Sequence, residues 1–122
     1  MADAIRWKNP DWYCNGVLDG SKPVERVFEN EQALAFHAPP DHHNEQFKTH
    51  VYVIPKRHVM TLLDLGIADG ALLAGLLAAV QGAAHALGLD TAGNGFILRA
   101  NVLPPHQHTG HIHIHILAGG AD

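Results

Sequence analysis

Cysteine is nearly missing from this chain: Cys14 is the only one among 122 residues, so no disulfide can close within it and sulfur ligands for a metal are in short supply. Fixed positive charge is scarce as well. Eight lysines and arginines stand against twelve acids, a formal net charge of −4, and the basic residues nowhere cluster. A surface that neutralises a nucleic-acid backbone is thereby excluded. A phosphate-bearing ligand would have to be held by neutral donors and imidazoles instead of a general positive field. The longest apolar run, Ala71 to Val80, is far short of the roughly 20 residues that span a bilayer, so no membrane partner is expected. The opening Met1-Ala2-Asp3-Ala4-Ile5-Arg6-Trp7 has no apolar stretch behind a basic cluster, which points to the cytoplasm. Repeats, low-complexity segments and signs of a second domain are also absent, so residues 1–122 read as one domain. A chain this short buries about two-thirds of its surface, and dimerisation would help it.

Histidine is plentiful, eleven in all, and three fall in the run His111-Ile112-His113-Ile114-His115-Ile116-Leu117. On a β-strand successive side chains point to opposite faces, so the imidazoles are expected to line one side and Ile112, Ile114 and Ile116 the core. Three histidines as mere filler would be costly, because each ring carries a polar nitrogen that needs a partner away from water. The row therefore reads as chemistry. Chelation of one ion by all three fails on geometry: His111 and His115 lie roughly 13 Å apart along a strand, whereas zinc needs each nitrogen within about 2.1 Å. Nucleophilic catalysis uses the whole row, one imidazole attacking while its neighbours fix the tautomer and move protons.

Asn9-Pro10, Asn15-Gly16 and Asp19-Gly20 mark residues 1–20 as an irregular lead-in, packed by Trp7, Trp12 and Tyr13. β-prone runs at Val24–Phe28 and Ala33–Phe36 flank a polar Glu29-Asn30-Glu31-Gln32 and predict a hairpin. A third strand is expected over His50–Ile54, after a polar loop that Pro39 and Pro40 bar from regular pairing. Asp69 is read as the N-cap of a helix that runs to Leu87 and stops at Gly88. That helix is apolar nearly all round, so it is expected to face the sheet on one side and a second subunit on the other. Phe96–Asn101 and His111–Leu117 complete five strands, and Val102–Gly110 between them is expected to form the lip of the site. Five strands, one long helix and no β-α-β alternation predict an antiparallel α+β domain.

The alternation of His and apolar residues from His111 to Leu117 resembles the signature of the histidine triad family of nucleotide hydrolases and transferases. The resemblance extends through Phe28-Glu29-Asn30-Glu31, Leu34-Ala35-Phe36-His37, the segment from His50 to the Ile-Pro-Lys-Arg-His ending at His58, and the approach from Asn101 to Gln107, or roughly residues 14–120. It implies a five-stranded antiparallel sheet with one long helix, continued across a homodimer, and a purine nucleotide as small-molecule partner. It implies that His113 attacks the α-phosphorus of a nucleoside phosphoramidate or related nucleotide, forming a nucleotidyl-histidine that water hydrolyses. Imidazole suits this step, being largely neutral and nucleophilic at pH 7. His115 would position the phosphate or the nucleophile, and His111 with His50 would complete an imidazole network. Asn101 and Gln107 match positions that contact the nucleotide, Gln107 by donating to a phosphate or leaving-group oxygen; His106 and His108 stand where relatives carry small residues, and are candidates for extra phosphate contacts or for narrowing the pocket. A uridylyltransferase-like branch has Gln as the third residue of the triad, so His115 implies hydrolysis and not transfer.

No cofactor is expected, but some bacterial relatives bind zinc through Cys-x-x-Cys and two histidines. Here the corresponding stretch is Asp11-Trp12-Tyr13-Cys14, so the zinc alternative is a degenerate site of Asp11, Cys14, His50 and His111, with carboxylate oxygen in place of one thiolate. The family's nucleoside hydrolases usually place a ribose-binding aspartate where this chain has Ala38, and Asp41 is the candidate substitute. His58 is read as structural, His37, His42 and His43 as solvated, and His85 as a helix-end residue. Two other classes stay open: a metal-binding protein using the His-rich strand, and a nucleotide-binding module with residual catalysis.

Overall fold

The computed structural model describes residues 5–120. A short helical turn, Tyr13–Leu18, precedes strands β1 (Arg26–Glu29), β2 (Ala33–His37) and β3 (Phe47–Pro55). Two 3-10 turns, Leu62–Asp64 and Ile67–Asp69, lead into helix α1 (Gly70–Ala86), and β4 (Ile97–Ala100) and β5 (Ile114–Gly120) follow. The strands form one antiparallel sheet in the order β1-β2-β3-β5-β4, which is the α+β architecture expected from the pattern.

Alternation along the strands divides the sheet into two unlike faces. Ala33, Ala35, Val51, Val53, Ile112 and Ile116 point one way and are buried against Leu72, Leu76, Ala79, Val80 and Ala83 of α1. Those helix positions recur at the spacing of one helical stripe, and each large side chain so buried contributes about 1.5–3 kcal/mol. Close approach is set by small residues: a side chain at Gly75 would meet Gln32, and one at Gly82 would meet the ring of Phe28. The helix covers β1, β2 and β3. Leu73 and Leu77 on its outer side and Leu98 on β4 stay exposed. By length and composition alone Ile67–Ala86 would suffice to cross a membrane; packing on the sheet accounts for the stripe from Leu72 to Ala84 and leaves Leu73 and Leu77 uncovered.

The opposite face carries Leu34, Phe36, Tyr52 and Ile54, covered by Tyr13 and Val17. The lead-in is thus more regular than its turn residues suggest. Asp11 Oδ1 accepts the N–H groups of Tyr13 and Cys14 at 3.1 and 3.0 Å, which starts the helical turn and seats the two buried side chains. Asp69 occupies the N-cap position of α1 without capping it, because its carboxylate is engaged with the Gly66 N–H at 2.9 Å and with Arg57 at 2.8 Å. Gly88 ends the helix as expected, with φ +70°.

The triad strand begins later than the alternation predicts. Val53 and Ala100 are the last residues paired with it, both opposite Ile114. Before that point the Ile112 N–H donates to the Val59 carbonyl and the His111 N–H to Thr109. Only His115 of the three histidines is therefore in regular sheet, and His111 is free to turn its ring elsewhere.

Candidate active site

A cavity of about 130 Å³ opens on the face away from α1, with His113 and His115 in its wall. Backbone groups set the tautomers of both rings. The Asn44 N–H donates to His50 Nδ1 at 3.0 Å, so the proton of His50 is on Nε2, and that N–H donates to His115 Nδ1 at 2.9 Å. His115 must then carry its own proton on Nε2. That nitrogen is buried without a hydrogen-bond partner, a condition costly enough to call for an acceptor from outside the chain. His113 is fixed in the opposite sense: its Nδ1–H donates to the His111 carbonyl at 2.8 Å. The lone pair of His113 is left on Nε2. One cavity thus holds a nucleophilic nitrogen and, from the next histidine along, an unpaired donor.

Neither ring of the relay is a cation at neutral pH. Burial, then the charges of His43 and Arg99, pushes His50 down to about 4. Burial, with His113, His50 and Arg99, pushes His115 down to about 3. Burial also lowers His113, which keeps its attacking nitrogen free of protons.

His111 is not in this network. Its ring is fully buried, its Nε2–H donates to the Pro55 carbonyl at 3.0 Å, and its Nδ1 lies 3.1 Å from Asp11 Oδ2 and 3.4 Å from Cys14 Sγ. His58 Nδ1 is 2.8 Å from the same carboxylate oxygen. Asp11, Cys14, His58 and His111 offer four ligand atoms within 4.8 Å of one another. The degenerate zinc set is corrected in one member: His58 belongs to it, and His50 is committed to His115. Each remaining part suits a divalent ion. With its Nε2–H on a carbonyl, His111 directs Nδ1 at a carboxylate, an arrangement that calls for positive charge there, a proton or a metal ion. The second carboxylate oxygen is already held by two backbone N–H groups. Burial would raise the Asp11 carboxyl, but the Cys14 N–H and the His111 ring hold it below its ordinary value. Burial and Asp11 push the Cys14 thiol up to about 11. The residues fit a zinc-class ion of mixed O, N and S coordination.

Asn101, His106 and His108 line the cavity, and Gln107 does not. Its buried amide donates to the Met60 and Thr109 carbonyls at 2.6 and 2.8 Å and accepts the Leu103 N–H at 2.9 Å. Leu103 has a left-handed backbone, φ +66°, and Gln107 holds it there. Gln107 shapes the loop and has no donor left for a phosphate. His42, read as solvated, also lines the cavity, stacked on Trp12 with ring centroids 4.5 Å apart. Trp12 meets Phe36 and Tyr52 edge-on. His43 Nε2–H donates to the Phe47 carbonyl at 2.8 Å, and His85 contacts Asp90 at 2.8 Å at the end of α1. Ala38 faces a separate crevice with Pro23 and Pro39, and Asp41 contacts His42 and Lys22 instead of the cavity.

Similarity to other proteins follows the same lines. The HIT domain family model matches residues 19–122. A 13.2 kDa HIT-like protein of Azospirillum brasilense is 37% identical over 105 residues, 84% of this chain and 81% of the relative. The crystal structure of a HIT family hydrolase from Legionella pneumophila superposes with a TM-score of 0.74 at 35% identity, covering 90% of this chain and 92% of that one. A histidine triad protein from Clostridium difficile gives 0.75 at 27% identity, covering 90% of each chain. The fold is therefore shared with these structures, and the chain belongs to the HIT domain family.

Proposed function

We propose that this protein is a nucleotide hydrolase that cleaves at the α-phosphate of a purine nucleoside phosphoramidate or related nucleotide through a nucleotidyl-His113 intermediate. The observation that carries the reading is the pairing of opposite tautomers in one cavity, a lone pair on His113 Nε2 and an unpaired N–H on His115 Nε2. The first forms a bond to phosphorus as the bond to the leaving group breaks; the leaving group takes the electron pair, and an amine also takes up a proton from solvent. The second donates to an oxygen whose charge grows in the transition state. Water then attacks phosphorus, the P–N electron pair returns to His113, and the water proton passes to solvent. Asn101, His106 and His108 supply further polar contacts from the wall, and the stacked pair of Trp12 and His42 gives it an aromatic side suited to a purine base. The hydrolase name carried by the Legionella relative supports the reaction class.

The test is to trap the intermediate. Quenching turnover of an adenosine phosphoramidate under alkaline conditions is expected to yield protein heavier by one nucleotidyl group, with the label on the peptide containing His113. Full turnover with no adduct, even for a substrate whose second step is slow, would sink the covalent mechanism.

A divalent ion, if bound, would be held by Asp11, Cys14, His58 and His111 and would act as a structural tie, since all four positions are protein ligands. His111 would then hold the carbonyl that fixes the tautomer of His113. A site filled at a hundred times its dissociation constant contributes about 2.7 kcal/mol, so chelation is expected to lower Tm by roughly 10 °C, and Asp11→Ala to remove that response. An unchanged Tm together with no metal by elemental analysis would make the cluster metal-free.

The assembly we propose is a homodimer in which a second copy covers Leu73, Leu77 and Leu98 and pairs with the free edge of β4. These leucines are exposed where α1 stops short of β4, and an unpaired apolar edge is a ready template for another strand. Mass in solution checks it.

A further inference from the structure

The wall of the histidine cavity contains no lysine or arginine, although any substrate cleaved at a phosphate brings negative charge to it. A cation stands just beyond that wall. Arg99 on β4 is directly opposite His115 on β5, and residues so paired project from the same face of a sheet. Asn101, two residues further on, lines the cavity itself. The Arg99 charge acts on both His50 and His115. Arg26, Arg57 and Lys56 are each paired with a carboxylate, whereas Arg99 has no such partner among the described residues.

Strand order then gives the site a direction. Trp12 lies over β2 and β3, against Phe36 and Tyr52. The histidines stand on β5 and the run before it, and Arg99 is on β4, across them from Trp12. A nucleoside resting toward the aromatic side directs the other substituent of its α-phosphate toward Arg99.

We propose that Arg99 binds the leaving group and selects substrates whose leaving group departs as an anion, the nucleotide anhydrides with phosphate or sulfate. The inference rests on the hydrolase reading. In the first step His113 Nε2 bonds to the α-phosphorus, the bridging P–O bond breaks, and the oxygen leaves with its electron pair as sulfate, or as hydrogen phosphate from a terminal phosphate that already carries a proton, so no further proton is needed. The guanidinium takes up that charge with planar, forked donors. The His50–His115 relay is consistent with this: one N–H bridges the two rings, and the unpartnered N–H on His115 Nε2 can be lent to an anionic oxygen. In the second step water replaces His113 on phosphorus and releases its proton to solvent.

The experiment compares kcat/KM for adenosine 5′-phosphosulfate with that for an adenosine phosphoramidate whose amine leaving group is uncharged, in the parent, Arg99→Gln and Arg99→Lys. Arg99 is exposed, so both variants are expected to fold, which Tm verifies. The ratio of the two constants is expected to favour the phosphosulfate in the parent, to fall about tenfold to a hundredfold in Arg99→Gln, and to recover in part in Arg99→Lys. A ratio that stays the same in Arg99→Gln, whether or not both rates drop, overturns the assignment of Arg99 while the hydrolase reading stands. No turnover of either substrate by the parent overturns both.

Discussion

His113→Asn is expected to lower kcat by about four orders of magnitude or more, in line with deletion of an attacking group elsewhere, while leaving Tm and nucleotide affinity close to the parent values. The asparagine amide can still donate to the His111 carbonyl, as Nδ1–H does now at 2.8 Å, so the loop before β5 keeps its hydrogen bond. What disappears is the free lone pair facing the cavity. Turnover of a phosphoramidate, differential scanning calorimetry and titration with AMP separate these effects. Activity within tenfold of the parent would remove His113 as nucleophile and turn attention to His115.

Acid is expected to unfold this protein well before its carboxylates titrate. His50 and His115 have folded pKa values of about 4 and about 3, against about 6.5 in the unfolded chain. Below pH 6.5 the unfolded state binds two protons that the folded state refuses, so stability falls as pH falls and levels off only near pH 4 and below. Each group alone gives a slope approaching 1.4 kcal/mol per pH unit in that window. After allowance for partial solvent access, the pair should cost about 2–4 kcal/mol between pH 7 and pH 5, a large share of an ordinary domain's stability. Asp11, held below its ordinary value, adds acid loss only below about pH 4. Denaturant midpoints measured from pH 8 to pH 5 check this, with His50→Asn and His115→Asn each expected to flatten the curve. A level profile in the parent would mean that the relay is protonated or solvated in the folded state.

The two-fold period of Ile112, Ile114 and Ile116 was legible in the sequence as a core face, and so were five strands, one helix and their approximate limits. The division of labour within the histidine row was not. Which nitrogen of His113 or His115 is free depends on the His111 carbonyl and the Asn44 N–H, backbone groups whose position no spacing rule specifies. The replacement of His50 by His58 in the acid–thiol cluster has the same origin. Those residues are eight apart, and only the turn after Pro55 decides which of them faces Asp11. Gln107 misled because an amide next to a site reads as a ligand donor, whereas its own loop, with Leu103 in a left-handed backbone, consumes it. Arg99 carried a signal that sequence reading passed over: it lies two residues before Asn101, in a strand already expected to border the triad.

The contact between Asp11 and His111 joins residues one hundred positions apart, and the Asn9 N–H reaches the His108 carbonyl beside it. Closing so long a stretch of chain is slow and entropically unfavourable until the sheet between its ends exists. During synthesis the lead-in can rest on β2 and β3 early, but its ties to His108 and His111 wait for nearly the whole polypeptide. Partial unfolding should release it before the sheet opens, because few buried contacts hold it apart from Tyr13 and Val17. Enzymatic activity would then vanish ahead of secondary structure on heating, and a protease acting near Asn9 and Pro10 would silence the site while leaving the sheet and helix in place.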